Sequence, residues 1–169
     1  MRWAGLVAVL VVTLIAQTTV ARAADLPVLE TDLLLVLALL YGLLAATVEA
    51  RLAAWIIGFA ADVMTEGAIG LHALAFGLTG LLLTWLRHIV NRQVWWGRLL
   101  MCFAAALPGQ LLIVAHLHFL QGAQLGSWWD MVSSALRVAL SAALFATLLT
   151  LIPPLTPRHR LSRSIAGRK

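Results

Sequence analysis

The chain has 169 residues, of which 62% are hydrophobic and 11% charged, with a formal net charge of +5 and a mean hydropathy of +0.96. A soluble domain of this length has too little interior to hide so much apolar side chain, so lipid must take part of it. The composition excludes an ordinary soluble domain and points to an all-α, polytopic membrane helical bundle.

Taken in order, the chain offers six apolar runs, at about 3–21, 33–48, 52–65, 70–86, 99–120 and 131–153, each read as a spanning helix of one domain over residues 1–157. The first run begins after Arg2 and ends in Ala21-Arg22-Ala23-Ala24, which has the charge, core and small-residue site of a secretory signal. Its apolar core continues through Gln17-Thr18-Thr19 to Val20, long for a signal and adequate for a span. Retention is the expectation; a mature protein starting at Ala24 would leave five spans. The second and third runs are short, and Glu49 and Arg51 separate them as a hairpin, with a partly re-entrant third segment as the alternative.

The third and fourth runs carry the two ionisable residues that lie deepest in apolar sequence, Asp62 and His72. Asp62 follows Arg51 by 11 residues, which places it about 16 Å into a bilayer at 1.5 Å per residue. Such a group is costly in lipid, so it must face protein or water. Asp62 stands five residues before Gly67 and His72 five after it, so an antiparallel hairpin brings them to similar depth. Two readings follow: a proton or ligand site, or a carboxyl–imidazole or carboxyl–backbone contact that fixes the hairpin. The second is expected. Ala50, Ala54, Gly58 and Asp62 recur every four positions, with Gly70, Ala73, Gly77 and Gly80 across the turn. Small residues in such rows let helix backbones approach closely in lipid.

The fifth run contains Pro108, expected to kink the helix, with Gln110 beside it, and His116 and His118 near its end. Two positions apart on a helix, the histidines point in different directions and are not expected to share a metal. Cys102 has no second cysteine to pair with. Arg137 lies early in the sixth run, where it can snorkel outward or pair with Asp130, and Pro153-Pro154 and Pro157 close that run. The remaining stretch, 158–169, is read as a disordered cytoplasmic tail whose Arg158, Arg160, Arg163, Arg168 and Lys169 are attracted to anionic lipid.

With both termini inside, the cytoplasmic side carries 10 of the 12 basic residues, leaving only Arg22 and Arg137 outside, as the positive-inside bias requires. Trp3, Trp55, Trp85, Trp95, Trp96, Trp128 and Trp129 fall at or near the proposed span ends, where indoles prefer the headgroup region. The membrane thus accounts for the basic residues, and no nucleic-acid partner is expected. No P-loop, GxSxG, HExxH or CxxC pattern occurs, so neither catalysis nor a cofactor is expected.

At Gly58–Leu74 the chain reads G-F-A-A-D-V-M-T-E-G-A-I-G-L-H-A-L. This stretch resembles the signature of the MreD family, rod shape-determining membrane proteins of bacterial cell-wall elongation. Gly58, Asp62, Gly70, Leu71, His72, Ala73 and Leu74 carry the match; Glu66 and Ala68 stand where the family more usually has Gly and Pro. The resemblance implies a non-catalytic membrane scaffold whose partners are an MreC-like membrane protein and, indirectly, an MreB-like filament, a RodA-like glycosyltransferase and a penicillin-binding transpeptidase. It also implies a six-span fold similar to the substrate-binding subunits of energy-coupling-factor vitamin transporters. Such a transport subunit is the competing expectation. It would need a polar outer pocket, for which His116, His118, Gln121, Gln124 and Asp130 are the candidates.

Overall fold

A computed structural model of the chain describes residues 3–23, 32–65, 69–89, 94–120 and 127–151. These residues form six helices and no strand: α1 (Trp3–Ala23), α2 (Leu33–Leu44), α3 (Thr47–Met64), α4 (Leu71–Ile89), α5 (Trp95–Leu120) and α6 (Trp128–Leu151). Two of them, α5 from Trp95 to Phe119 and α6, are long and apolar enough to cross a membrane by length and composition. Gly67 and the basic residues from Arg158 to Lys169 lie outside the described residues.

The core forms around α2. Its sequence, LLLVLALLYGLL, is apolar on every face, and a helix of that kind is stable only when surrounded. Leu34 through Leu39 are all buried, and α2 packs against each of the other five helices, whereas α1 leans mainly on α2. The remaining pairs are sequential: α3 on α4, α4 on α5, α5 on α6. Large apolar side chains on the outside, such as Val12, Phe59, Leu81, Trp85 and Leu148, are half-exposed.

Polar contacts tie the helix ends together. At one end, the Arg51 guanidinium donates to Thr84 Oγ1 at 2.9 Å, Arg87 donates to the carbonyls of Gly42 and Ala45 at 2.6 and 2.9 Å, and Arg98 donates to Thr150 Oγ1 at 3.2 Å. At the other end lie Gln17 with Asp32, Asp62 with the start of α4, and His118 against Trp128. Consecutive helices therefore run antiparallel.

Several expected boundaries move. The second and third runs are divided by Ala45 and Ala46, both extended, and not at Glu49 and Arg51, which sit in the first two turns of α3. The Arg87 guanidinium occupies the carbonyls that the break exposes, so the division is stabilised from another helix. The third run is one continuous helix of 18 residues. Trp55 is not at a helix end but in the third turn of α3, where its ring covers Gly77. The α5 helix continues through Pro108, and Gly109 there meets Ala75 and Thr79 of α4. Arg137 is exposed on α6, while Cys102 is buried.

Arg87→Met should lower the thermal midpoint of the detergent-solubilised protein, by roughly 2 kcal/mol for charge-assisted bonds to otherwise orphaned carbonyls. Arg137→Met, on an exposed face, should leave it unchanged.

Candidate functional site

The hairpin of α3 and α4 is built on a carboxylate that caps the following helix. Gly70 has φ +100°, a left-handed conformation that a side chain disfavours, and its carbonyl accepts the first bond of α4, from Leu74 N at 3.0 Å. Gly70 thus stands where an N-cap residue would stand, with no side chain to do the capping. Asp62 supplies it from the last turn of α3. Its Oδ1 accepts from His72 N at 2.8 Å, and its Oδ2 from Gly70 N at 3.0 Å and Ala73 N at 2.9 Å. His72 and Ala73 are the second and third helical residues, whose amides an N-cap side chain takes. A fourth contact runs from His72 Nδ1 to Oδ1 at 3.0 Å, with the ring edge-on to the buried Phe76.

Glycine makes the approach possible. A Cβ at Gly58 would lie 2.5 Å from the His72 carbonyl oxygen and 2.6 Å from Ala73 Cα, so α3 touches the first turn of α4 backbone to backbone. Ala50, Ala54 and Asp62 on the same stripe are buried, and Gly80 faces Ala54. The expected small-residue row is therefore the α3–α4 contact, in which Gly77 of α4 makes room for the Trp55 indole of α3 rather than for backbone.

Both contacts offered for Asp62 are present: the imidazole is one of four donors, the other three being backbone amides. The depth differs, since the site lies at the hairpin tip rather than deep along the helix, because α3 starts at Thr47 and Asp62 is in its last turn.

A second carboxylate belongs to the same end. Asp32 N-caps α2, accepting on Oδ1 from Leu34 N at 3.0 Å and Leu35 N at 3.3 Å, while Gln17 Nε2 of α1 donates to that oxygen at 3.4 Å. Desolvation pushes the Asp32 carboxyl above its ordinary pKa range, against the pull of those amides, His72 and Gln17. Sequence reasoning passed over both residues. An aspartate directly before an apolar run is a helix-start signal, but nothing local tells that Gln17 reaches it. Between these groups lies a cavity of about 180 Å³ lined by Gln17, Thr18, Asp32, Thr65 and His72.

Compared with family models, curated proteins and solved structures, the chain matches none.

The other candidates are not part of this cluster. His118 packs its ring against Phe119 and Trp128 at the α5–α6 corner. His116 is half-buried, Asp130 is exposed, and Gln121 and Gln124 fall outside the described residues. An open groove of about 430 Å³ runs between α1 and α2, lined mainly by apolar residues with Tyr41 and Glu49 at its edge.

Proposed function

We propose that the chain is a six-span protein of the bacterial cytoplasmic membrane, with both termini cytoplasmic, that serves as a non-catalytic scaffold of cell-wall elongation in the manner of the MreD family. The observation that carries this reading is the α3–α4 joint. Gly58, Asp62, Gly70 and His72, by which the chain resembles that family, are the residues that meet in it. The spacing has a mechanical reason. Four residues apart on α3, the Gly58 notch and the Asp62 carboxylate share a face, and Gly70-Leu71-His72 presents the cap backbone they engage.

The membrane reading draws on the apolar exterior, too extensive for water, and on the gathering of Arg51, Arg87 and Arg98, with Glu49 among them, at the end opposite Asp32, Asp62 and Asp130. In the proposed topology the arginine end is cytoplasmic. The scaffold acts through helix packing with an MreC-like membrane protein, and through it with an MreB-like filament, a RodA-like glycosyltransferase and a penicillin-binding transpeptidase.

The transport-subunit reading draws on the cavity at Gln17, Asp32 and His72. At about 180 Å³ that space is below the roughly 300–1,000 Å³ of pockets for drug-sized ligands; the groove of about 430 Å³ between α1 and α2 is within that range but offers only Tyr41 and Glu49 as polar side chains. Depletion in a rod-shaped host should round the cells and leave vitamin uptake intact. Normal shape with loss of uptake of one vitamin would overturn the scaffold.

A further inference from the structure

The outward face of α6 carries an arginine that the bundle leaves without a bond. Arg51, Arg87 and Arg98 each donate to a neighbouring helix at the arginine end. Arg137 bonds to nothing among the described residues, Asp130 included, and is exposed. Its depth follows from the helix it sits on. Thr150 stands level with Arg98, whose guanidinium it accepts at 3.2 Å, so it marks the limit of hydrocarbon at that end. Hydrocarbon about 30 Å thick, at about 1.5 Å per residue, then runs from Thr150 to Asp130. Arg137 lies seven residues inside the nearer limit, about 10 Å deep, where an unpaired guanidinium is costly. An arginine side chain is shorter than that depth, so snorkelling alone leaves the guanidinium short of the headgroups. The rest of the face is leucine. Ala135, Ala139, Ala142 and Ala146 turn into the bundle, which meets α6 through α5 and α2. Outward, Leu140, Leu144, Leu148 and Leu151 follow Arg137 at spacings of three and four residues, all half-exposed. Such a stripe is a seam on which a second helix packs. Leucines alone suit lipid equally well; Arg137 does not.

We propose that this face of α6 docks a membrane-spanning helix of a partner protein, one that carries an Asp or Glu at the depth of Arg137. A carboxylate there accepts the paired donors of the guanidinium, and lipid excludes the water that weakens such a pair at a surface. A second copy of the chain is a poor occupant. About a two-fold axis its α6 would set Arg137 against Arg137. The described carboxylates, Asp32, Glu49, Asp62 and Asp130, also stand in the first or last turns of their helices rather than at mid-membrane. The inference rests on the reading of the bundle as membrane-spanning and not on the identity of the partner.

The test uses the full chain in its native membrane, with the photo-crosslinking side chain benzoylphenylalanine installed at Leu140, one turn from Arg137. A control carries it at Leu81, on the exposed face of α4. Mass spectrometry of the adducts identifies the cross-linked segment. From Leu140 it should be an apolar, membrane-spanning segment of another protein, joined within one turn of an Asp or Glu. Arg137→Met should cut the yield at least about tenfold, as for loss of a charge-assisted pair, with the amount and thermal midpoint of the chain unchanged. Arg137→Lys should keep most of the yield. Exchanging the charges, Arg137→Glu with the partner's carboxylate replaced by arginine, should restore it. Adducts to lipid only, to a second copy, or to a helix with no acidic residue at that depth would overturn the proposal. So would the same adduct from Leu81, or a yield that Arg137→Met leaves unaltered. An equal loss in Asp130→Asn would overturn it too, because Arg137 would then be paired within its own chain. A carboxylate-bearing helix from a protein unrelated to cell-wall elongation would uphold this site and count against the scaffold. An MreC-like protein that co-purifies while Leu140 cross-links only lipid would sink this site alone.

Discussion

Asp62→Leu is expected to cost the detergent-solubilised protein roughly 3–5 kcal/mol. Three backbone amides, of Gly70, His72 and Ala73, lose their acceptor together, and each orphaned buried donor costs about 1–3 kcal/mol. Since whole domains are stable by only about 5–15 kcal/mol, most of the protein should then be lost to aggregation at growth temperature. Asp62→Asn is the sharper variant. One side-chain position keeps an oxygen and the other becomes an NH₂ set against N–H donors, so roughly half the loss is expected. His72→Ala should cost less than either, because it removes the ring donor and leaves the backbone amides capped. Thermal unfolding followed by circular dichroism ranks the three. An order in which His72→Ala is worst would mean that the imidazole pair, not the cap, holds the joint.

The second large effect is expected at Gly58. A methyl group there meets the backbone of His72 and Ala73, atoms that cannot move without dragging the first turn of α4 off the Asp62 carboxylate. Gly58→Ala should therefore cost about 2–3 kcal/mol, the upper range for overpacking, and Gly58→Leu should give no folded protein. Gly70→Ala meets nothing within 4 Å but must hold φ +100°, a strain of about 1–2 kcal/mol. Gly5→Ala, with open space around it and ordinary helical φ, should be neutral or slightly stabilising. The order Gly58, Gly70, Gly5 in midpoint loss separates steric contact from backbone strain. Equal losses at Gly58 and Gly5 would mean that α3 and α4 do not approach at Gly58.

Much of this was legible because its causes are local. Hydrophobic run lengths place six helices in the right order, and the five-residue offsets of Asp62 and His72 from Gly67 bring them together across the hairpin. The glycine and alanine stripe marks the face of α3 that meets α4. Missed features depend on distant residues. The break at Ala45 is stabilised by Arg87, 42 positions further on, so charge alone moved it wrongly to Glu49 and Arg51. Trp55 looked like an interfacial indole because its partner, Gly77, lies on another helix. For Asp62 the sequence left a carboxyl–imidazole and a carboxyl–backbone contact side by side, and the structure has both, because the hairpin brings the amides of Gly70, His72 and Ala73 to the carboxylate along with the ring. Gln17 lies in the first run and Asp32 just before the second, and only the packing of α1 and α4 on α2 unites them with His72.

The scaffold reading is tested most directly by affinity purification of the tagged chain from its native membrane in mild detergent. An MreC-like membrane protein should co-purify in comparable amount and be lost in Gly58→Ala, where the joint is opened. Recovery of the ATP-hydrolysing subunits of a transporter, with no MreC-like protein, would contradict it.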